Sequence, residues 1–229
     1  MGKTAALILA AGRSERMQQE VPKQFLLINE KPLFLYSVEA YLDEVDLTVV
    51  VTNKDAVKTA EDMLSDDGLK DIVPVIAGGE ERYDSSYLGL LYLEKLGGFD
   101  TVMIHDAARA SITRDVIRSA LEMAEHQGTA VAAVPLKDTV KAADEHGKVL
   151  ETPDRRRLYS VQTPQAFSLP LILEAYMRFY EAKKKDPALS VTDDASVVEQ
   201  FTDHEVMLTP GSYANVKITT PEDLKLLRP

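Results

Sequence analysis

Residues 4–17 read TAALILAAGRSERM, and Pro22-Lys23-Gln24 follow shortly after. The run Ala5 to Ala10 is apolar at both alternating sets of positions, the pattern of a strand buried on both faces. It ends in Ala10, Ala11 and Gly12, residues small enough for a ligand to approach the backbone, whose N–H groups can hold phosphate oxygens. Arg16 and Lys23 come next, placed to clamp a polyphosphate and to stabilise charge developing on a transferred phosphorus. The stretch has neither the Gly-Lys-Ser/Thr of a P-loop nor the spaced glycines of the dinucleotide fingerprint. Taken alone, the glycine and small residues are more often an ordinary tight turn.

Working outward, similar apolar runs occupy Leu47 to Thr52, Ile72 to Ile76, Thr101 to Ile104 and Ala130 to Val134. Helical periodicity separates them over Leu33 to Leu42, Tyr83 to Leu96 and Ile112 to Ala124. Fully apolar strands alternating with helices predict an α/β fold with a mostly parallel sheet flanked by helices. No internal repeat or linker divides the 229 residues, so they are expected to form a single domain.

Composition excludes several classes of function. The chain has no cysteine, so Cys-based zinc sites, iron–sulfur clusters, thiol nucleophiles and disulfides are absent. With 26 basic and 37 acidic residues its net charge is -11, which disfavours nucleic acid as a partner. Any phosphate site must therefore gather its cations locally. The first apolar run is far too short to span a membrane and no targeting signal is expected, so a soluble, cytoplasmic protein is anticipated. His105, His126, His146 and His204 lack metal-ligand spacing. There is no GxSxG elbow, and the aromatics around Tyr176 and Phe179 read as helix core.

One segment departs from the rhythm. From Lys137 to Arg157 about half the residues are charged, against 28% of the chain, and Asp144-Glu145-His146-Gly147 marks a turn. A hairpin this polar cannot supply its own core. It is either a solvated excursion or an arm, spanning about 136–160, that packs on a second protomer. Ser168 and Pro170 then open a helix toward Lys185, whose last-turn lysines complement the helix dipole.

Two further loops follow strands. In Gly78-Gly79-Glu80-Glu81-Arg82-Tyr83-Asp84-Ser85 the glycines permit close approach and Ser85 can hydrogen-bond a base. In His105-Asp106-Ala107-Ala108-Arg109, Asp106 suits a sugar hydroxyl or divalent metal and Arg109 a phosphate. An acidic helix start is the competing reading of both. The pair Asp193-Asp194 more often caps a helix than binds metal.

In order along the chain stand AAGRSERM, PKQF, GGEERYDSS, HDAAR, KDTVK, DRRRLYSVQTPQ, TDDAS and NVKITTPEDL. This series resembles the 2-C-methyl-D-erythritol 4-phosphate cytidylyltransferase family. The resemblance implies a Rossmann-like nucleotidyltransferase fold and transfer of CMP from CTP to the methylerythritol phosphate with Mg²⁺ present, releasing pyrophosphate. It also implies a homodimer joined through a β-arm. Ala10, Ala11, Gly12, Arg13 and Ser14 would line the CTP site, with Gly78, Gly79, Arg82 and Ser85 at cytosine and ribose. Asp106 and Ala107 would lie at ribose and the metal region. Arg16 and Lys23, with Arg155 and Lys217, would be catalytic. Asp106, Arg109, Thr139, Arg155 and Lys217 would bind the acceptor, with the arm residues reaching the partner's site. Ser14 and Ala110 depart from the usual pattern, which has glycine and proline there. The alternatives are a ribitol-5-phosphate cytidylyltransferase and, from another class, a non-catalytic CTP-binding regulator.

Overall fold

The computed structural model describes residues 2–12, 22–220 and 222–227. Strand β1 (Lys3–Ala10) is an interior strand of the sheet, and its alternation explains why both faces are apolar. Ala6 and Ile8 join one core cluster, with Phe34, Val38, Tyr41 and Ile117. Leu7 and Leu9 join the other, with Leu90, Leu93, Phe167, Tyr176 and Phe179.

After β1, a two-residue pair β2 (Leu27–Ile28) and β3 (Lys31–Pro32) leads into α1 (Leu33–Leu42). Next come β4 (Leu47–Thr52), α2 (Val57–Asp66), β5 (Val75–Ala77) and α3 (Arg82–Leu96). They are followed by β6 (Phe99–Asp106), α4 (Arg114–Gln127) and β7 (Thr129–Pro135). The hairpin β8 (Ala142–Ala143) and β9 (Val149–Glu151) precedes β10 (Tyr159–Ser168) and α5 (Leu169–Lys185). The last elements are α6 (Asp194–Phe201) and β11 (Leu208–Pro210). The main sheet runs β11-β7-β10-β6-β1-β4-β5. Its pairings are parallel except at β10, which is antiparallel to both neighbours.

Helix α1 has the expected bounds, and α5 starts after Ser168 with proline in its first turn. The strand expected at Ile72 to Ile76 begins instead at Val75. Ile72 and Val73 donate their N–H groups to Leu69, and Pro74 has none to give. Strand β10 escaped the sequence reading because its middle is Gln162-Thr163-Pro164-Gln165 rather than an apolar run. These polar side chains are buried because they hydrogen-bond the loops around them, as the site geometry below makes plain.

The charged segment carries the hairpin, and every residue of β8 and β9 is exposed. Its turn is closed by the Asp144 carboxylate, which accepts the N–H groups of His146 and Lys148, and by Gly147 at φ +80°.

Candidate active site

A cavity of about 540 Å³ opens beyond the carboxyl ends of β1, β5 and β6, where parallel α/β sheets bind ligands. Ala10, Ala11 and Gly12 form one wall; Lys23, Arg82, Ser85, Asp106, Ala107 and Lys217 complete it. A second cavity of about 450 Å³ adjoins it, lined by Arg109, Thr163, Gln165 and Asp193. Arg82, Asp106 and Lys217 line both. Arg13, Ser14 and Arg16 lie outside the described residues. Thr139 and Arg155 line neither cavity; both are exposed, and Arg155 donates to the Lys137 carbonyl at 2.6 Å.

The glycine pair is required by close packing. A Cβ on Gly78 would sit 2.5 Å from Ser85 Oγ, and one on Gly79 would sit 2.3 Å from Asp84 Cβ. The loop is thereby pressed onto the first turn of α3, where Glu81 and Asp84 form a reciprocal capping box. Ser85 Oγ accepts the Gly79 N–H at 3.2 Å, so it braces the loop as well as facing the cavity.

Charge is concentrated on Asp106, at the end of β6. Its Oδ1 accepts Arg82 Nε at 3.1 Å and its Oδ2 pairs with Lys217 Nζ at 2.7 Å. Burial alone would raise its pKa, but Arg82 first and Lys217 next hold it far below the usual carboxylate range. Arg82 also pairs with Asp194 Oδ2 at 2.7 Å, and its charge is held more firmly than burial alone would allow. The Asp pair therefore divides. Asp193 caps α6 through Ser196, as the sequence suggests, whereas Asp194 is a fully buried partner of Arg82. Tyr176, read from sequence as core, is indeed buried but also donates its O–H to Asp194 at 2.6 Å.

The loop bearing Lys217 is stitched into the site by backbone groups. Ile218 N–H donates to Ala108, Lys23 Nζ donates to the Ile218 carbonyl at 3.1 Å, and Arg109 Nη1 donates to the Asn215 carbonyl at 2.8 Å. Asn215 Nδ2 in turn donates to the Thr163 carbonyl at 2.8 Å. The sequence reading missed Thr163, Asn215's bracing role and Asp194's ion pair. For Thr163 the signal was the polar set Gln162, Thr163 and Gln165 inside what proved to be the buried part of a strand.

His105 is part of the same frame. Its ring nitrogens approach Thr163 Oγ1 at 3.1 Å and the Arg109 carbonyl at 3.3 Å. The carbonyl assigns the proton to Nε2, so Nδ1 accepts from Thr163, whose oxygen accepts the Asp106 N–H. Burial lowers the His105 pKa from 6.5 to about 4. The unfolded chain thus binds more protons between those values, and stability falls as pH drops from about 6.5 toward 4. The loss is roughly 3 kcal/mol. Denaturant unfolding across that window should show this slope, and His105→Gln should flatten it; equal slopes would mean the ring is not held neutral.

Magnesium is commonly bound by one or two carboxylates plus substrate phosphates. Asp106 is a carboxylate facing both cavities, though each of its oxygens already serves a cation. Among the described residues no group of three or more His, Cys, Asp or Glu side chains is placed to hold a metal. These donors would suit a cation carried mainly by substrate phosphates rather than one held by the protein alone. Among the described residues, no helix is long and apolar enough to cross a membrane.

Comparison with known proteins identifies the family. The family described as 2-C-methyl-D-erythritol 4-phosphate cytidylyltransferase matches residues 4–228. The protein of that name from Lachnospira eligens is 39% identical over 223 residues, covering 96% of each chain. The one from Clostridium botulinum strain 657 is 38% identical over 228 residues, covering 99% of this chain and 96% of its own. Among solved structures, 4-diphosphocytidyl-2C-methyl-D-erythritol synthase from Anaerococcus prevotii superposes with a TM-score of 0.82 at 28% identity, over 98% of this chain and 95% of that one. The Thermus thermophilus 2-C-methyl-D-erythritol 4-phosphate cytidylyltransferase gives a TM-score of 0.76 at 28% identity, over 99% and 97%. A family match over residues 4–228, with relatives 39% and 38% identical across nearly their whole length, shows that the chain belongs to the 2-C-methyl-D-erythritol 4-phosphate cytidylyltransferase family.

Proposed function

We propose that the chain moves CMP from CTP to 2-C-methyl-D-erythritol 4-phosphate by in-line attack of the acceptor's phosphate oxygen on the α-phosphorus, releasing pyrophosphate. The observation that carries this mechanism is the shared wall: Arg82, Asp106 and Lys217 border both cavities, so two anions can meet across them. CTP would take the cavity of Ala10–Gly12 and Ser85; Gly78 and Gly79 line neither cavity and would act by letting their loop press onto Ser85 and Asp84. The acceptor would take the one containing Arg109, whose Nε has no hydrogen-bond partner among the described residues. Lys23 and Lys217, with Arg16, would offset the repulsion between the anions and the charge developing in the transition state.

No general base is needed. A phosphomonoester has its second pKa near 6, so the nucleophile is already ionised at neutral pH. His105 is not placed to act as one, since both its nitrogens are engaged within the frame. Catalysis rests on positioning and charge. A magnesium ion would add neutralisation of the triphosphate, with Asp106 as the residue to contact it.

In this reading the chain is one domain with an arm at about 136–160 that joins two copies in the cytoplasm. Thr139 and Arg155 would complete the partner's acceptor cavity. Support comes from their exposure on a segment with no core of its own, together with exposed Val149 and Leu150 on β9. Lys23→Ala and Arg155→Ala should each be inactive alone. Mixed and re-equilibrated, they should recover roughly a quarter of normal activity, since half the dimers are mixed and each holds one intact site. No recovery, with mixed dimers confirmed by mass spectrometry, would mean the arm does not serve its partner.

Pyrophosphate release from CTP and Mg²⁺ tests the reaction, with 2-C-methyl-D-erythritol 4-phosphate and ribitol 5-phosphate as rival acceptors and ATP, GTP and UTP as controls. Turnover with the first acceptor and CTP is expected. Turnover only with ribitol 5-phosphate would reassign the acceptor, and CTP binding without turnover would leave a nucleotide-binding regulator.

A further inference from the structure

We infer that Asp194 is a positioning residue for the transfer step, acting through Arg82 and Asp106 on Lys217; this rests on the mechanism proposed above. Four links run from the core to the cavity mouth. Tyr176 donates to Asp194 Oδ1 at 2.6 Å, and Asp194 Oδ2 meets Arg82 Nη1 at 2.7 Å. Arg82 Nε meets Asp106 Oδ1 at 3.1 Å, and Asp106 Oδ2 meets Lys217 Nζ at 2.7 Å.

Asp194 has no other evident task. The cap of α6 is already made by Asp193 and Ser196, and Asp194 is fully buried, where a carboxylate is costly unless paired. A buried ion pair is a poor device for stability, because apolar residues of the same volume do as well or better. It is a good device for direction. Guanidinium groups favour two-pronged capture of a single carboxylate. By occupying Nη1, Asp194 turns the Arg82 fork so that Asp106 meets it through one oxygen and keeps the other for Lys217. Without Asp194, Arg82 has only Asp106 to pair with, and Lys217 loses its anchor at the wall where the substrates meet.

Asp194→Asn preserves shape and the hydrogen bond from Tyr176 but removes the charge. The expected result is a roughly ten- to hundredfold fall in kcat, the size of a misplacement of about an ångström. The KM for CTP should be unchanged or lower, because the linked cluster of Arg82, Asp106, Asp194 and Lys217 gains one positive charge. A second test is the combination with Lys217→Ala, in which Asp194→Asn should add nothing, because both act through the same ammonium group. Multiplying losses, or wild-type kcat in the folded single variant, would overturn the inference.

Should Asp194→Asn fail to fold, Tyr176→Phe loosens the same carboxylate while keeping its charge. It should lower kcat several-fold, again with no added effect on Lys217→Ala; an additive effect would count equally against the inference. A readout independent of turnover is acylation of lysines by an N-hydroxysuccinimide ester, followed by mass spectrometry. Lys217 labelling should rise several-fold in Asp194→Asn or Tyr176→Phe, with Lys54 unchanged. If wild type releases no pyrophosphate but Lys217 labelling still rises, the mechanism falls and the positioning stands. Unchanged labelling overturns the positioning whatever the activity.

Discussion

Replacing Lys23 with alanine should lower kcat/KM by roughly two to three orders of magnitude, the cost of deleting one preorganised donor aimed at developing charge. The loss should appear without unfolding. Lys23 opens a short 3-10 turn whose anchors are its neighbours: Gln24 and Phe25 are buried, and Phe25 packs edge-on against Phe34 with ring centroids 5.7 Å apart. Truncating the lysine leaves those contacts in place, so the thermal midpoint should move little. Lys23→Arg should not restore activity, because a planar fork cannot replace a compact ammonium that also reaches the Ile218 carbonyl. Near-normal turnover by Lys23→Ala would remove it from the mechanism.

The second large effect is expected at Asp106. Asp106→Asn should cut turnover at least a hundredfold and also destabilise the fold, by about 3–5 kcal/mol if the pairing is broken as in other buried ion pairs. Both follow from one cause: Lys217 loses its carboxylate and Arg82 keeps only Asp194. Because the Asp106 pKa is strongly depressed, the stability it contributes is complete above the ordinary aspartate value and is lost only as pH falls well below it. The His105 contribution is lost earlier, between about 6.5 and 4. The unfolding free energy of wild type should therefore decline with falling pH in two windows, with Asp106→Asn lacking the decline in the lower one and His105→Gln that in the upper. Intact stability in Asp106→Asn would mean Arg82 and Lys217 do not depend on that carboxylate.

The legible parts of this protein were those written in short stretches of chain. Ala5 to Ala10 announced a strand buried on both faces, whereas the small residues after it, taken alone, read more readily as a tight turn than as a loop open to a ligand. Leu33 to Leu42 declared its helix because a single stretch contains its whole apolar pattern. The ordered series of loops was enough to place the chain in its family. By contrast, β10 was invisible, since its Gln162, Thr163 and Gln165 look like a loop until the partners that satisfy them are known. Asp193 and Asp194 looked alike, yet one caps a helix and the other is buried against Arg82.

The sequence by itself determined the α/β class, the family and which cations were available to an acidic chain. Those depend on local periodicity and on residues a few positions apart. Only the tertiary structure decided which carboxylate each cation pairs with, that Arg82, Asp106 and Lys217 stand on a wall common to two cavities, and that His105 braces the backbone around them. The physical reason is range. Secondary structure is specified by neighbours along the chain, whereas a charged group's partner is whichever opposite charge the fold brings within about 3 Å. Here the residues that meet, such as Asp106 and Lys217, are more than a hundred positions apart.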